Sequence, residues 1–146
     1  MVTSRVVLMS ERSAPQTRPL LDLVVLDCPD ARALGAFYAE VLGWEVEDDS
    51  DDDWVTLVPP SGGGSPDRPS GATSLAFQRI DDFVTPTWPG GAHPQQFHLD
   101  LQVSDMEDGE RQVLAAGARR HDVQPSENGG FVVYLDPAGH PFCLVR

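Results

Sequence analysis

Two stretches of this sequence run through the same order of apolar and polar residues about 75 positions apart, and that repeat constrains the fold more than composition does. Sliding the halves by this distance puts Leu23 on His98, Leu26 on Leu101, Asp30 on Asp105 and Tyr38 on Val113, and brings Gly43 to within one residue of Gly117. In the first half, Leu20 to Leu26 is almost continuously apolar, as a strand covered on both faces requires, and Cys28-Pro29-Asp30 is expected to end it. Asp30 suits a helix N-cap, Leu34, Phe37, Tyr38, Val41 and Leu42 recur at helical spacing, and Gly43 suits the left-handed residue that closes a helix. Three strand-like stretches follow, Trp44 to Glu47, Trp54 to Val58 and Ser74 to Ile80, parted by an acidic run and a Gly/Pro/Ser loop. The order is βαβββ.

The second half repeats it. Phe97 to Val103 reads as a strand, and Ser104 with Glu107 has capping-box spacing before a helix ending at Gly117. Three strands are expected after it, one around Val123, one from Phe131 to Asp136 and one from Pro141 to Arg146, the last two joined by a type I turn at Asp136-Pro137-Ala138-Gly139. Asp81 to Gln96 is rich in Pro and Gly, the composition of a connection that links two units without joining their ladders. The expected fold is therefore α+β, with module one at 20–80, a linker at 81–96 and module two at 97–146; residues 1–19 read as a tail or an extra edge segment.

Composition removes whole classes of function. Acidic residues number 23 against 10 basic ones, and every basic residue is Arg. Without Lys there is no Schiff base, no phosphate-binding loop built on Lys and no Ser-Lys pair. A net charge of -13 repels a phosphate backbone, so no nucleic-acid partner is expected. No apolar run approaches the length of a membrane span, and the apolar run Val6 to Met9 is too weak for a secretory signal. Cys28 and Cys143 stand far apart with no CxxC spacing, which fits a reducing, cytoplasmic setting. The seven carboxylates between Glu45 and Asp53 lack the central Gly and terminal Glu of a calcium loop and read as a solvated hairpin. Gly62-Gly63-Gly64 is followed by no helix and no nearby base, so it reads as a flexible loop. His93, His121 and His140 fall in loops or turns without ligand spacing.

Leu-Asp-Leu-Val-Val-Leu-Asp at 21–27, Phe37-Tyr38, Leu42-Gly43-Trp44 and Asp-Pro-Ala-Gly-His-Pro-Phe at 136–142 together resemble the vicinal oxygen chelate superfamily. With His98-Leu99-Asp100 and Trp88-Pro89, the chain looks like the glyoxalase-like domains of actinobacteria over roughly residues 20–146. The resemblance implies two βαβββ modules forming a cupped, eight-stranded mixed sheet with the helices outside and the site inside the cup. A homodimer is compatible with it, since related proteins commonly pair through such a linker. In metal-dependent members the ligands are His, Glu or Gln on the first and last strands of the modules. Carried over, those slots fall on Leu23, Gln78, His98 and Cys143, of which only His98 keeps an orthodox ligand. That set is short of the three donors a catalytic metal normally takes, so no metal cofactor is expected.

Along residues 97–103, alternation puts Phe97, Leu99, Leu101 and Val103 on one face and His98, Asp100 and Gln102 on the other, which should line the cup. Trp54, Trp88, Phe77 and Phe131 are candidates for flat walls against which an aromatic ligand stacks. The expected function is binding of a small organic ligand without metal, through His98, Asp100, Gln78, Trp54, Trp88 and Cys143, with no catalytic residue assigned. The alternative is a lyase, isomerase or dioxygenase of the same superfamily that uses a divalent metal at His98.

Overall fold

The computed structural model describes residues 19–63 and 71–146. The tail or edge segment expected for residues 1–19 lies, apart from Pro19, outside the described residues, as does Gly64 of the glycine loop. Ladder pairing turns the sequence repeat into two sheets. β1 (Leu23–Cys28), α1 (Ala31–Leu42), β2 (Glu45–Val46), β3 (Trp54–Val58) and β4 (Ser74–Arg79) make a sheet ordered β1-β4-β3-β2. β5 (Leu99–Gln102), α2 (Met106–Ala116), β6 (Arg119–Arg120), β7 (Phe131–Leu135) and β8 (Pro141–Val145) repeat it as β5-β8-β7-β6. In each, the first and last strands pair in parallel and the other pairs are antiparallel. The eight strands thus fall into two four-stranded ladders, not one continuous sheet. No helix among the described residues is long and apolar enough to cross a membrane.

Local chemistry explains where the elements start and stop. β1 runs through Cys28 instead of ending before it, because the fully buried thiol packs as a small apolar group; Pro29, with no N–H to give, ends the ladder. The two helices are capped alike: Asp30 accepts from the N–H of Ala33 at 2.9 Å, and Asp105 from that of Asp108 at 2.8 Å. The capping box expected at Ser104 is therefore corrected to Asp105, the residue that the repeat itself aligns with Asp30. The strand expected around Val123 does not form. There the side chain of Gln124 stands in for a strand, its amide oxygen accepting from Val133 N at 2.9 Å and its nitrogen donating to Val133 O at 2.8 Å, and Val123 is left exposed.

One apolar core joins both modules. Val24, Leu26, Val55, Leu57, Leu75 and Phe77 face it from the first sheet, and Leu99, Leu101, Tyr134, Phe142 and Leu144 from the second. Tyr38 of α1 stacks on Phe77 at 5.4 Å between ring centroids and meets Phe142 of β8 edge-on at 6.4 Å, so this helix binds the modules together. Gly35 lets α1 approach β3 closely: a Cβ there would stand 2.6 Å from Val55 Cγ1. The same junction carries a buried polar group. Asp136, 1% exposed, accepts from the hydroxyl of Tyr38 at 3.0 Å and from the N–H groups of Ala138 at 2.9 Å and His140 at 3.0 Å, and its Oδ2 lies 2.8 Å from His140 Nδ1. Burial and the neighbouring Asp136 carboxylate hold the Tyr38 phenol well above its ordinary pKa, so it stays a donor.

Candidate functional site

Strand alternation leaves one face of each sheet turned away from the helices, and on the second sheet that face carries the chemistry. The β5–β8 register sets Asp100 beside Cys143, and β7 brings Val133 to the other side of Cys143. His98 sits just before β5, its Nε2 3.4 Å from Asp100 Oδ1, with 43% and 54% of the two side chains exposed. One donor atom from each of His98, Asp100 and Cys143 lies within 4.8 Å of the others. Burial first, then the Asp100 carboxylate, pushes the Cys143 thiol up to about 11, so the sulfur is a protonated, weakly polar part of the floor.

Over this floor the chain closes a cavity of ≈ 170 Å³, with Trp88 and Gln95 of the linker, Pro125 and Phe131 as walls. Its surface is mostly apolar. His98 and Gln95 are its polar side chains; the Gln95 amide oxygen is itself sealed from solvent, with no hydrogen-bond partner among the described residues. A buried acceptor left unpaired is costly, by about 1–3 kcal/mol.

Of the residues singled out in the sequence, the structure brings His98, Asp100, Cys143, Trp88 and Phe131 to this face. Trp54 and Gln78 are placed elsewhere. They pair with each other across β3 and β4 of the first sheet, and the Trp54 indole donates to Thr56 Oγ1 at 2.8 Å. The register also corrects the slot assigned to Gln78. Cys143 lies beside Asp100, whose repeat equivalent Val25 lies beside Ala76, whereas Gln78 lies beside Asp27. The first-module counterparts of His98 and Cys143 are thus Leu23 and Ala76, neither of which is a donor. Phe77 and Phe97 are corrected as well. Phe77 is fully buried in the core, while Phe97, assigned to the apolar face with Leu99, precedes the strand and is 56% exposed. Gln95 was not legible as a site residue, since a linker Gln carries no motif; Pro125 is set there by the Gln124 side chain, which ties the loop to β7.

The three clustered donors fit a metal only of a certain kind. Imidazole nitrogen, carboxylate oxygen and thiolate sulfur suit a borderline-soft ion such as zinc and not a hard one, which would want oxygen alone. A tetrahedral ion needs donors about 3.5 Å apart, within rotamer reach of the 4.8 Å spread seen. Asp100 is the donor that slot-by-slot comparison passed over, because it lies two residues past His98 and comes to Cys143 only through the parallel register.

The family model for the glyoxalase-like domain matches residues 23–145. No curated protein matches the sequence. Among solved structures, a glyoxalase/bleomycin resistance protein/dioxygenase family enzyme from Burkholderia phytofirmans is similar, with a TM-score of 0.58 at 17% identity over 86% of this chain and 97% of that one. A glyoxalase family protein from Enterococcus faecalis gives 0.57 at 21% identity over 86% and 95%. The fosfomycin resistance protein FosX of Listeria monocytogenes, solved with manganese(II) and a dihydroxypropylphosphonic acid, gives 0.60 at 14% identity over 88% and 90%. At these identities the likeness is one of fold, and with the family match over nearly the whole chain it leads to one conclusion: the chain belongs to the glyoxalase-like domain family of the vicinal oxygen chelate superfamily.

Proposed function

We propose that this protein binds a small organic molecule, about one ring in size, over the second sheet, with His98 and Gln95 as its polar contacts and without need of a metal. The observation that carries the reading is the apolar cavity of ≈ 170 Å³ that Trp88, Gln95 and Phe131 form beside His98. A cavity of about 150 Å³ already holds benzene, and the His98 ring offers such a ligand a polar contact. Trp88 and Phe131 supply the flat walls. Metal independence rests on Leu23 and Ala76, which give the site no donor from the first sheet. The test is a thermal-shift screen of a metabolite mixture against tag-free protein. A true ligand at a hundred times its dissociation constant stabilises by about 2.7 kcal/mol, or about 5–10 °C for a chain of this length, and the shift should shrink in His98→Ala and Gln95→Leu. No stabilising compound, or shifts unchanged in both variants, overturns the reading.

A second reading is favoured by the clustering of His98, Asp100 and Cys143. These three side chains would hold a zinc-like ion beside the cavity, and the bound ion would supply Lewis-acid polarisation of a ligand carbonyl or hydroxyl. Titrating the protein with cobalt(II) distinguishes the two: a thiolate-to-cobalt absorption band that is absent in Cys143→Ser supports the metal site, and its absence from the wild type leaves the metal-free reading standing.

A further inference from the structure

His140 belongs to no part of the site above, yet it is the best-held imidazole in the molecule. Its Nδ1 lies 2.8 Å from Oδ2 of Asp136, a carboxylate whose side chain has no exposure at all. An ionised carboxylate only accepts, so Nδ1 must be the nitrogen that carries the proton. In the neutral ring Nε2 is then a bare acceptor, and among the described residues it has no protein partner. The backbone N–H of His140 is held by the same carboxylate, and Phe83 meets the ring edge-on at 5.5 Å, so its orientation is fixed from three sides.

The ring lines a cavity of ≈ 160 Å³ between the outer edges of β1 and β5, different from the one over the second sheet although the two share His98 and Pro141. Its apolar walls come from Val25, Leu26, Phe97 and Leu99. Asp27 is a second acceptor on its rim, and neither Lys nor Arg reaches it. Asp27 and His140 accept, the His98 ring is the third polar group, and with no Lys or Arg among the lining residues the cavity disfavours anions; the apolar walls and the volume select a molecule about the size of one ring.

We propose that the cleft between β1 and β5 is a second binding site, for a neutral, mostly apolar molecule of about one ring bearing an O–H or N–H donor that is received by Nε2 of His140. Asp136 is the positioning residue, fixing the tautomer that leaves this nitrogen open. The inference does not depend on what occupies the cavity over the second sheet.

Phenol and toluene, alike in size but differing in the donor, are the probes. With isotope-labelled protein at a pH where imidazoles are neutral, nitrogen shifts should report His140 as the Nδ1–H form. Phenol should bind about three- to tenfold more tightly than toluene, the worth of one neutral hydrogen bond, and should move the resonances of Val25, Leu26, Leu99 and His140. In His140→Asn, whose amide can still donate to Asp136 but whose oxygen, on a shorter side chain, does not reach the position of Nε2, the preference for phenol should vanish. An Nε2–H tautomer in the wild type, equal affinities for the two probes, a preference that survives in His140→Asn, or phenol shifts confined to Trp88, Gln95, Phe131 and Cys143 would each overturn the proposal. The tautomer and the two affinities are read on wild-type protein, so a variant that fails to fold leaves the test intact.

Discussion

Replacing Asp136 by Ala should be among the most damaging single changes in this chain. The carboxylate accepts four hydrogen bonds while fully buried, and removing it strands the Tyr38 hydroxyl and the Ala138 N–H, both on buried residues. The His140 ring is 19% exposed and can turn to water. Two sealed, unpaired donors at about 1–3 kcal/mol each give about 2–6 kcal/mol. For a chain of this size that lowers Tm by roughly 10 °C. Tyr38→Phe alone should lose only about 1–2 kcal/mol, because Asp136 keeps three donors. The two changes should be strongly non-additive, since once Asp136 is gone the Tyr38 hydroxyl is an orphan whose removal relieves the structure, giving a coupling of about 1–3 kcal/mol. Urea unfolding of the wild type, both single variants and the double variant measures this. A loss below about 1 kcal/mol for Asp136→Ala, or additive losses, would refute the claim that this carboxylate organises the module junction.

Three other outcomes follow from the geometry. Gly35→Ala should destabilise by about 1–3 kcal/mol through overpacking against Val55, although an exposed helical Gly gains from this change, and Val55→Ala should restore much of the loss on thermal denaturation. Asp105→Ala should lower stability by about 1 kcal/mol as a lost cap while Ser104→Ala changes it little, which chemical denaturation separates. Burial raises both thiols, Cys28 and Cys143, from an ordinary 9.0 to about 11. Between those values the folded chain keeps protons that the unfolded chain has released, so the stability these groups contribute is present below pH 9 and falls as pH rises toward about 11. A series of melting curves from pH 8 to pH 11 should show this fall, and it should be shallower in Cys143→Ser.

The fold was legible because the repeat is carried by groups whose chemistry is local: Asp30 and Asp105 cap helices, Gly43 and Gly117 take left-handed conformations, and the apolar spacing does the rest. Where a motif competed with the repeat, the repeat was the better guide, as Asp105 over Ser104 shows. Val123 failed because a side chain, that of Gln124, took over the hydrogen bonds of a strand, which no propensity records. The site was legible only where strand parity decides it. His98 and Asp100 share a face by alternation, but their meeting with Cys143, and the exclusion of Gln78, depend on a parallel register that pattern does not specify. The polar junction was hidden for another reason: Tyr38 fits the apolar stripe of α1, and Asp136 and His140 fit a turn, so nothing in sequence signals that a bond spans 98 residues between them.

The proposed ligand site lies over the second sheet at His98. Amide and side-chain shift mapping with the compound that most raises the melting temperature tests it directly. Shifts centred on Trp88, Gln95, Phe131 and Cys143 that are lost in His98→Ala are expected; shifts centred on the first sheet, around Trp54 and Gln78, would rule this site out.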